Sequence, residues 1–225
     1  MSEALNQIPA KQLKIVNLFV LDRSPSMGSI KGKIIEGYNQ QLDAIRQLDK
    51  DTGIQSTFGL VTFDTTVEVR YLNKHLDYAT PLNNDNYRPD QGSGTAFYDG
   101  VAKAIKALED ELGSELSESK VLVTVLTDGE ENSSRYYTGS QVADLIKQYQ
   151  NDYGWTFSFI GANIDVEKLA RALNVSTSNT LNFVASAAGT ESATKSLISA
   201  RTAYYSRSLK GEDTSKSFFS DEPKT

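Results

Sequence analysis

A carboxylate and two hydroxyls occupy alternate positions in residues 22–26, whose sequence is Asp-Arg-Ser-Pro-Ser. They follow residues 15–21, an apolar run rich in β-branched and aromatic side chains that is typical of a buried parallel strand. Ligands of open α/β sheets bind where such strands end. Three hard oxygens directed at one point suit a hard cation such as Mg²⁺. On its own, an acid followed by serines is more often a turn or a helix cap. The interpretation as a metal site therefore depends on whether other segments of the chain supply further oxygens.

Two later segments supply such oxygens. Residues 92–95 (Gly-Ser-Gly-Thr) precede a predicted helix, and residues 127–130 (Thr-Asp-Gly-Glu) end a second apolar run at 121–126. We refer to residues 22–26, 92–95 and 127–130 as the first, second and third loops. Because separate loops of a parallel sheet converge at its strand ends, the sequence predicts that oxygens of all three loops meet.

The order Asp-x-Ser-x-Ser, then Thr, then Asp resembles the motif of the von Willebrand factor type A (VWA) family. In that family the motif forms a metal-ion-dependent adhesion site (MIDAS). The resemblance covers about residues 13–185. It implies these metal ligands: Asp22, Ser24, Ser26, Thr95 and Asp128. In that family the two serines bind the metal directly, the threonine and one aspartate exchange direct for water-mediated contact, and a partner's carboxylate takes the last position. Pro25 departs from the pattern, in which glycine is common, and proline would stiffen the loop.

The ligand types explain why such a site would bind a partner. Asp22 and Asp128 supply two negative charges, which neutralise a divalent ion, whereas the hydroxyls add oxygens without charge. Mg²⁺ keeps waters readily, so an incoming Asp or Glu of a protein partner can take a water-filled position. We expect Mg²⁺, with Mn²⁺ or Ca²⁺ as alternatives. We also expect a non-catalytic role, because nothing nearby in the sequence pairs a nucleophile with a base.

Other residues beside the ligands are expected to support or border the site. Asp99 lies one helical turn after Thr95, so its carboxylate can reach back towards the loop. An ordinary helix acid favoured by the N-terminal dipole is an equally good interpretation. The further candidates are the supporting glycines Gly94 and Gly129 and the rim acids Glu130 and Glu131, which are expected to be solvated and placed to choose among partners.

Enzymatic patterns fail at specific positions. Residues 28–34 are one residue short of a Walker phosphate loop and end in isoleucine. A haloacid-dehalogenase-type phosphatase would need a second acid where Ser24 stands. A Ser/His/Asp hydrolase would have to use His75, the only histidine, without a Gly-x-Ser-x-Gly elbow. Residues 49–60 begin like a calcium loop but end in leucine where a bidentate glutamate is required.

Composition favours one α/β domain with an appendage. The chain has 225 residues and a formal net charge of −6, which argues against a general nucleic-acid binder. No apolar stretch is long enough to span a membrane, residues 1–11 lack the apolar core of a signal peptide, and cysteine is absent. Cytoplasmic residence is the resulting expectation. The sequence does not set the oligomeric state.

Helical and extended segments alternate along the chain. The order predicts a Rossmann-like, doubly wound α/β fold: a mostly parallel central sheet with one antiparallel edge strand and helices on both faces. The predicted helices are 32–48, 96–112, 140–153, 166–173 and 191–208. The predicted strands are 15–21, 55–63, 67–72, 120–127, 155–161 and 181–184. Residues 73–91 are expected to form a long polar loop, either functional or mobile.

The chain ends suggest three segments: an N-terminal extension at 1–12, a VWA-type domain at 13–208 and a polar tail at 209–225. The composition of the tail is typical of disorder. The pair Phe218 and Phe219 raises another hypothesis, in which the tail docks onto a partner or a neighbouring copy and the protein is an assembly unit with a structural metal. A Mg²⁺-dependent hydrolase is the third hypothesis.

Overall fold

A computed structural model describes residues 13–91 and 93–219. The expected extension at 1–12 and residues 220–225 of the expected tail lie outside this part of the chain. The strands are β1 (Lys14–Asp22), β2 (Thr57–Phe63), β3 (Val67–His75), β4 (Ser119–Thr127), β5 (Thr156–Ala162) and β6 (Thr180–Phe183). The helices are α1 (Lys31–Thr52), α2 (Phe97–Leu112), α3 (Gly139–Tyr153), α4 (Val166–Ala172) and α5 (Ala187–Leu209).

The described strands form one six-stranded sheet in the order β3-β2-β1-β4-β5-β6. All neighbouring pairs are parallel except β2 and β3, which are antiparallel. The predicted sheet with one antiparallel edge strand is therefore confirmed. β1 and β4 are rich in apolar residues and are buried along almost their whole length, because both of their faces are covered.

Helices cover both faces of the sheet, as predicted. Val101 of α2, Ile146 of α3 and Ala170 of α4 belong to the core on one face. Ile34 of α1 and Leu197 of α5 belong to the core on the opposite face. Two separate apolar layers thus enclose the sheet, which is the doubly wound arrangement.

Two elements have ends that differ from those predicted from sequence periodicity, and hydrogen bonds explain both differences. α5 begins at Ala187, earlier than the predicted 191, because the Ser186 hydroxyl accepts from the backbone N of Gly189 at 3.1 Å. β3 continues to His75 because its pairing with β2 extends to Thr57. Antiparallel pairing therefore absorbs the start of the polar stretch expected at 73–91.

The remainder of that stretch is packed against the domain. It contains two short 3-10 helices, Leu76–Tyr78 and Pro89–Gln91. Leu82 and Tyr87 are buried at 3% and 0% exposure. The hydroxyl of Tyr87 donates to the backbone carbonyl of Asp22 at 2.7 Å. The loop therefore supports the end of β1.

Residues 210–219 fold back onto the domain, which differs from the disordered tail expected from composition. Phe218 and Phe219 are only 2% and 7% exposed. The ring of Phe218 lies 6.1 Å from that of Tyr204 in α5, measured between centroids. The backbone N of Phe218 donates to Asn179 Oδ1 at 2.9 Å. The aromatic pair therefore docks onto its own chain.

The sheet order determines where a ligand can bind. β1 lies in the middle, with β2 on one side and β4 on the other, so the chain reverses its winding direction at β1. Loops that leave the carboxyl ends of strands at such a switch point diverge and open a crevice. Asp22 ends β1 and Thr127 ends β4, so the first and third loops border this crevice.

Candidate metal site

Oxygen atoms of the first and third loops lie in direct contact. Ser26 Oγ lies 2.6 Å from Asp128 Oδ1, although the two residues are 102 positions apart. Ser24 Oγ lies 3.1 Å from Ser26 Oγ. The backbone N of Ser24 donates to Asp22 Oδ1 at 2.7 Å, which holds the turn of the first loop closed. The side-chain oxygens of Ser24, Ser26 and Asp128 thus lie in contact one after another, and Asp22 is joined to them through the backbone of Ser24.

Asp22 is the buried end of this group. Its side chain is 0% exposed, and its Oδ2 accepts a 2.5 Å hydrogen bond from the hydroxyl of Thr127. Burial raises the pKa of Asp22 to about 6, and the charge of Asp128 adds to the rise, whereas the bonds from Thr127 and Ser24 oppose it. Burial also raises the pKa of Asp128. Both carboxylates are therefore less stable as anions here than in water.

Thr95 brings the second loop to the same place. A Cβ added to Gly129 would lie 3.0 Å from Thr95 Oγ1 and 3.8 Å from Ser26 Oγ, so these hydroxyls border one small space beside the glycine. Thr95 is 3% exposed, and within the described residues no hydrogen bond engages its hydroxyl. The glycine leaves the space that a larger residue would fill.

The donor set fits a hard divalent cation. Two carboxylates and three hydroxyls offer only oxygen, and two acidic pKa values are raised in a way that a cation would reverse. Within residues 13–91 and 93–219, no group of three or more His, Cys, Asp or Glu side chains could hold a metal. Any metal at this site would therefore depend on the hydroxyls.

Asp99 is placed differently from the expectation. Its carboxylate accepts from the backbone N of Arg135 at 2.8 Å, of Tyr136 at 3.0 Å and of Tyr137 at 2.8 Å. These groups belong to the segment that follows the third loop. Asp99 therefore ties that segment to α2 and does not reach the first loop.

Glu131 also differs from the expectation, because it is not a solvated rim residue. Its carboxylate accepts from the backbone N of Ser133 at 2.8 Å, of Ser134 at 2.7 Å and of Tyr98 at 3.1 Å. The bond to Tyr98 caps the first turn of α2. Glu130, in contrast, is exposed as expected.

Gly94 occupies a backbone conformation that favours glycine, with φ of +151°. A Cβ at this position would lie 3.1 Å from Asn132 Oδ1 and 3.1 Å from Thr65 Cγ2. The glycine therefore permits the second loop to pass close to its neighbours.

A second connection, which sequence reasoning missed, joins the first loop to Ala96, the residue that follows the second loop. Arg23 Nε lies 3.1 Å from Asp64 Oδ2, and Arg23 Nη1 donates to Glu68 Oε2 at 2.7 Å. The backbone carbonyl of Asp64 accepts from the backbone N of Ala96 at 2.6 Å. No local sequence pattern marks Asp64, because its role depends on how the turn between β2 and β3 packs.

His75 lies far from this group of oxygens. It pairs with Thr57 at the start of β2, whereas Asp22 pairs with Phe63 at the end of β2. The histidine is thus at the opposite end of the sheet from Ser24 and cannot activate a serine there.

The fold is a doubly wound α/β domain, and oxygen-bearing side chains of three loops lie at its switch point, where domains of this class bind ligands. The family model for the von Willebrand factor type A domain matches residues 18–198. The chain therefore belongs to the VWA family.

Solved structures show the same fold. Proximal thread matrix protein 1 (PTMP1) from the mussel byssus has a TM-score of 0.56 at 20% identity, over 83% of this chain and 46% of that chain. The pilus adhesin SpaC from Lactobacillus rhamnosus GG has a TM-score of 0.62 at 16% identity, over 86% of this chain and 31% of that chain. A structure of PTMP1 with a zinc-occupied MIDAS motif has a TM-score of 0.55 at 19% identity, over 83% and 47%.

This chain spans less than half the length of each of these proteins. No curated protein sequence matches it. Among the described helices, none is both long and apolar enough to cross a membrane.

Proposed function

We propose that this VWA domain binds a divalent cation, with Mg²⁺ preferred, and uses the cation to hold an Asp or Glu side chain of a protein partner. The proposed ligands are Asp22, Ser24, Ser26, Thr95 and Asp128. The observation that carries the proposal is the contact of Ser26 with Asp128, which brings the first and third loops together beside the Thr95 hydroxyl.

Burial and charge support different roles for three of the proposed ligands. Asp22 lies at the floor and is held on both oxygens by Ser24 and Thr127. Ser26 is exposed and Asp128 is half-buried, so the open side of the site lies near them. A bound divalent ion would supply an electrophilic position towards solvent, where a carboxylate oxygen of the partner can replace water. Exposed Glu130 would disfavour partners with additional acids near the bound residue.

The proposed role is binding without catalysis. The hydroxyls of Ser24 and Ser26 bond to each other, and Ser26 also donates to Asp128. The only histidine of the sequence, His75, lies at the opposite end of the sheet and cannot activate either serine. PTMP1 is a matrix protein and SpaC is a pilus adhesin, which supports protein–protein interaction as the function of this domain type. One PTMP1 structure has a zinc-occupied MIDAS motif, so zinc belongs among the ions to be tested. Cytoplasmic residence stays a prediction.

Calorimetric titration with Mg²⁺ tests the metal site directly. We expect a binding isotherm for the wild type and none for Asp22→Ala. Asp43→Ala is the matched control, because it removes a surface acid of α1 whose side chain is 76% exposed. Equal heats for the wild type and Asp22→Ala would contradict the metal site.

Pull-down from native extracts tests the partner. We expect proteins that are retained in Mg²⁺ to be lost in chelator and with Thr95→Ala. A partner that stays bound in both cases does not use this site.

The assembly hypothesis was based on the pair Phe218 and Phe219 as a docking segment for another molecule. Both residues are buried against their own chain, so this feature no longer supports it.

A further inference from the structure

Asn132 clasps the backbone of Thr95 from both sides. Its Oδ1 accepts from the backbone N of Thr95 at 3.0 Å, and its own backbone N donates to the Thr95 carbonyl at 3.1 Å. The backbone N of Ser133 donates to the same carbonyl at 3.3 Å. Both backbone polar groups of Thr95 are therefore bound by the segment that follows the third loop.

The segment that carries Asn132 is itself fixed on α2. Glu131, one residue before, binds the first turn of α2 at the backbone N of Tyr98, 3.1 Å away. Asp99 of α2 binds the backbone N of Arg135, Tyr136 and Tyr137 in return. The two carboxylates thus bond in opposite directions across one interface, which holds Asn132 in place.

On its other side, the side chain of Thr95 faces the third loop at Gly129. The approach is close, because a Cβ added to this glycine would lie only 3.0 Å from Thr95 Oγ1. The backbone of Thr95 is thus bound by Asn132 and Ser133, and its hydroxyl faces Gly129 of the third loop. These contacts on two sides tie the second loop to the third loop and to the segment that follows it.

We infer that Asn132 is a positioning residue that favours Mg²⁺ over Ca²⁺ by holding Thr95 rigidly, an inference that rests on the proposed metal function. Mg²⁺ demands near-ideal octahedral geometry, whereas Ca²⁺ accepts more ligands at longer and more variable distances. A loosened Thr95 hydroxyl should therefore weaken Mg²⁺ binding more than Ca²⁺ binding. Mutation of a residue that orients a metal ligand typically lowers metal affinity by about 10- to 100-fold.

The test is calorimetric titration of each variant with Mg²⁺ and separately with Ca²⁺. For Asn132→Ala we expect Mg²⁺ affinity to fall about tenfold and Ca²⁺ affinity by about twofold or less. Asn132→Asp keeps the acceptor for the Thr95 backbone N. Its added negative charge should strengthen the binding of both ions, so the ratio of Mg²⁺ to Ca²⁺ affinity should stay near that of the wild type. The ratio separates positioning from charge and from general stability.

Asn39→Ala is a matched control. The side chain of Asn39 clasps Leu82 in a similar way, accepting from its backbone N at 2.9 Å and donating to its carbonyl at 3.0 Å. Its removal should lower the melting temperature without changing the ratio of affinities. Ser133→Ala is the milder second variant, because the Ser133 hydroxyl donates to Asn132 Oδ1 at 2.6 Å, and we expect a smaller shift in the same direction.

The outcomes separate the two claims. A wild type without Mg²⁺ binding would overturn both the proposed function and this inference. A wild type that binds Mg²⁺ together with an unchanged ratio in Asn132→Ala would overturn the inference alone. If Asn132→Ala does not fold, an unchanged ratio in Ser133→Ala overturns it in the same way.

Discussion

The hydroxyl of Thr127, the last residue of β4, donates to Oδ2 of Asp22, the last residue of β1, across 2.5 Å. The relationship follows from strand register: Leu21 pairs with Leu126, so the next residues of β1 and β4 also lie side by side. Even with this bond, burial raises the pKa of Asp22 to about 6. A buried carboxylate that is costly without a cation is a stability defect that metal binding would relieve.

The first prediction concerns Asp22→Asn in metal-free buffer. The pKa of Asp22 is about 6 in the folded protein against an ordinary value of 3.8, so between these values the folded state binds more protons than the unfolded state. Stability from this group therefore falls as pH rises from about 4 to 6, by at most about 3 kcal/mol. The asparagine side chain does not titrate, so the variant avoids this loss. Urea unfolding at pH 4 and pH 7 should show the variant gaining stability relative to the wild type at the higher pH.

The variant can keep the local hydrogen bonds. An amide at position 22 can donate to Thr127, whose hydroxyl can then donate to the carbonyl of Gly129, 3.3 Å away. Asp43→Asn, at an exposed position of α1, is the control and should follow the wild type at both pH values. A constant difference between Asp22→Asn and the wild type from pH 4 to pH 7 would contradict the raised pKa.

The second prediction concerns Thr127→Val, which keeps the β-branched shape and removes the hydroxyl. Without that donor the Asp22 carboxylate is neither oriented nor stabilised on Oδ2, so Mg²⁺ affinity should fall about tenfold by titration calorimetry. Thr57→Val is the control, because the Thr57 hydroxyl bonds Asn73 at 2.7 Å at the other end of the sheet. Equal Mg²⁺ affinities for the two variants would show that Thr127 does not support the site.

The predictability of the fold and the site depended on how local each signal is. Apolar runs and helical spacing mark the strands and helices, and the sheet order with its antiparallel edge is as expected. The predicted ligands Ser26 and Asp128 meet because strand ends converge. The roles of Tyr87 and Glu131 could not be read from the sequence, because each depends on the path of a loop without periodicity.

The third prediction concerns Arg201, a fully buried residue of α5 that has no ion-pair partner within residues 13–91 and 93–219. It donates to Asn17 Oδ1, to Gln41 Oε1 at 3.2 Å and to Thr124 Oγ1 at 3.2 Å. Arg201→Met would leave these buried acceptors without their donor. We expect a loss of about 3 kcal/mol in the free energy of unfolding, measured in urea.

Arg171→Met is the control for this change. Arg171 pairs with Glu167 on the surface of α4, with side chains 59% and 47% exposed, so its loss should change stability by less than about 0.5 kcal/mol. A similarly small effect for Arg201→Met would show that the neighbouring acceptors find other donors.

The fourth prediction concerns Phe218→Ala, which tests whether the last described residues belong to the folded domain. Their polar composition predicts disorder, yet Phe218 is 2% exposed, and one buried aromatic ring can outweigh the polar residues around it. Truncation of a buried phenylalanine leaves a cavity and typically costs about 3–5 kcal/mol. We expect a loss of about 3 kcal/mol in the free energy of unfolding in urea and an unchanged mass by light scattering, because the ring packs on Tyr204 of its own chain.

Tyr78→Ala is the control, because this position is 76% exposed, and it should change stability by less than about 0.5 kcal/mol. Equal stabilities for Phe218→Ala and the wild type would place the aromatic pair outside the folded core and return the tail to the disorder that composition favours.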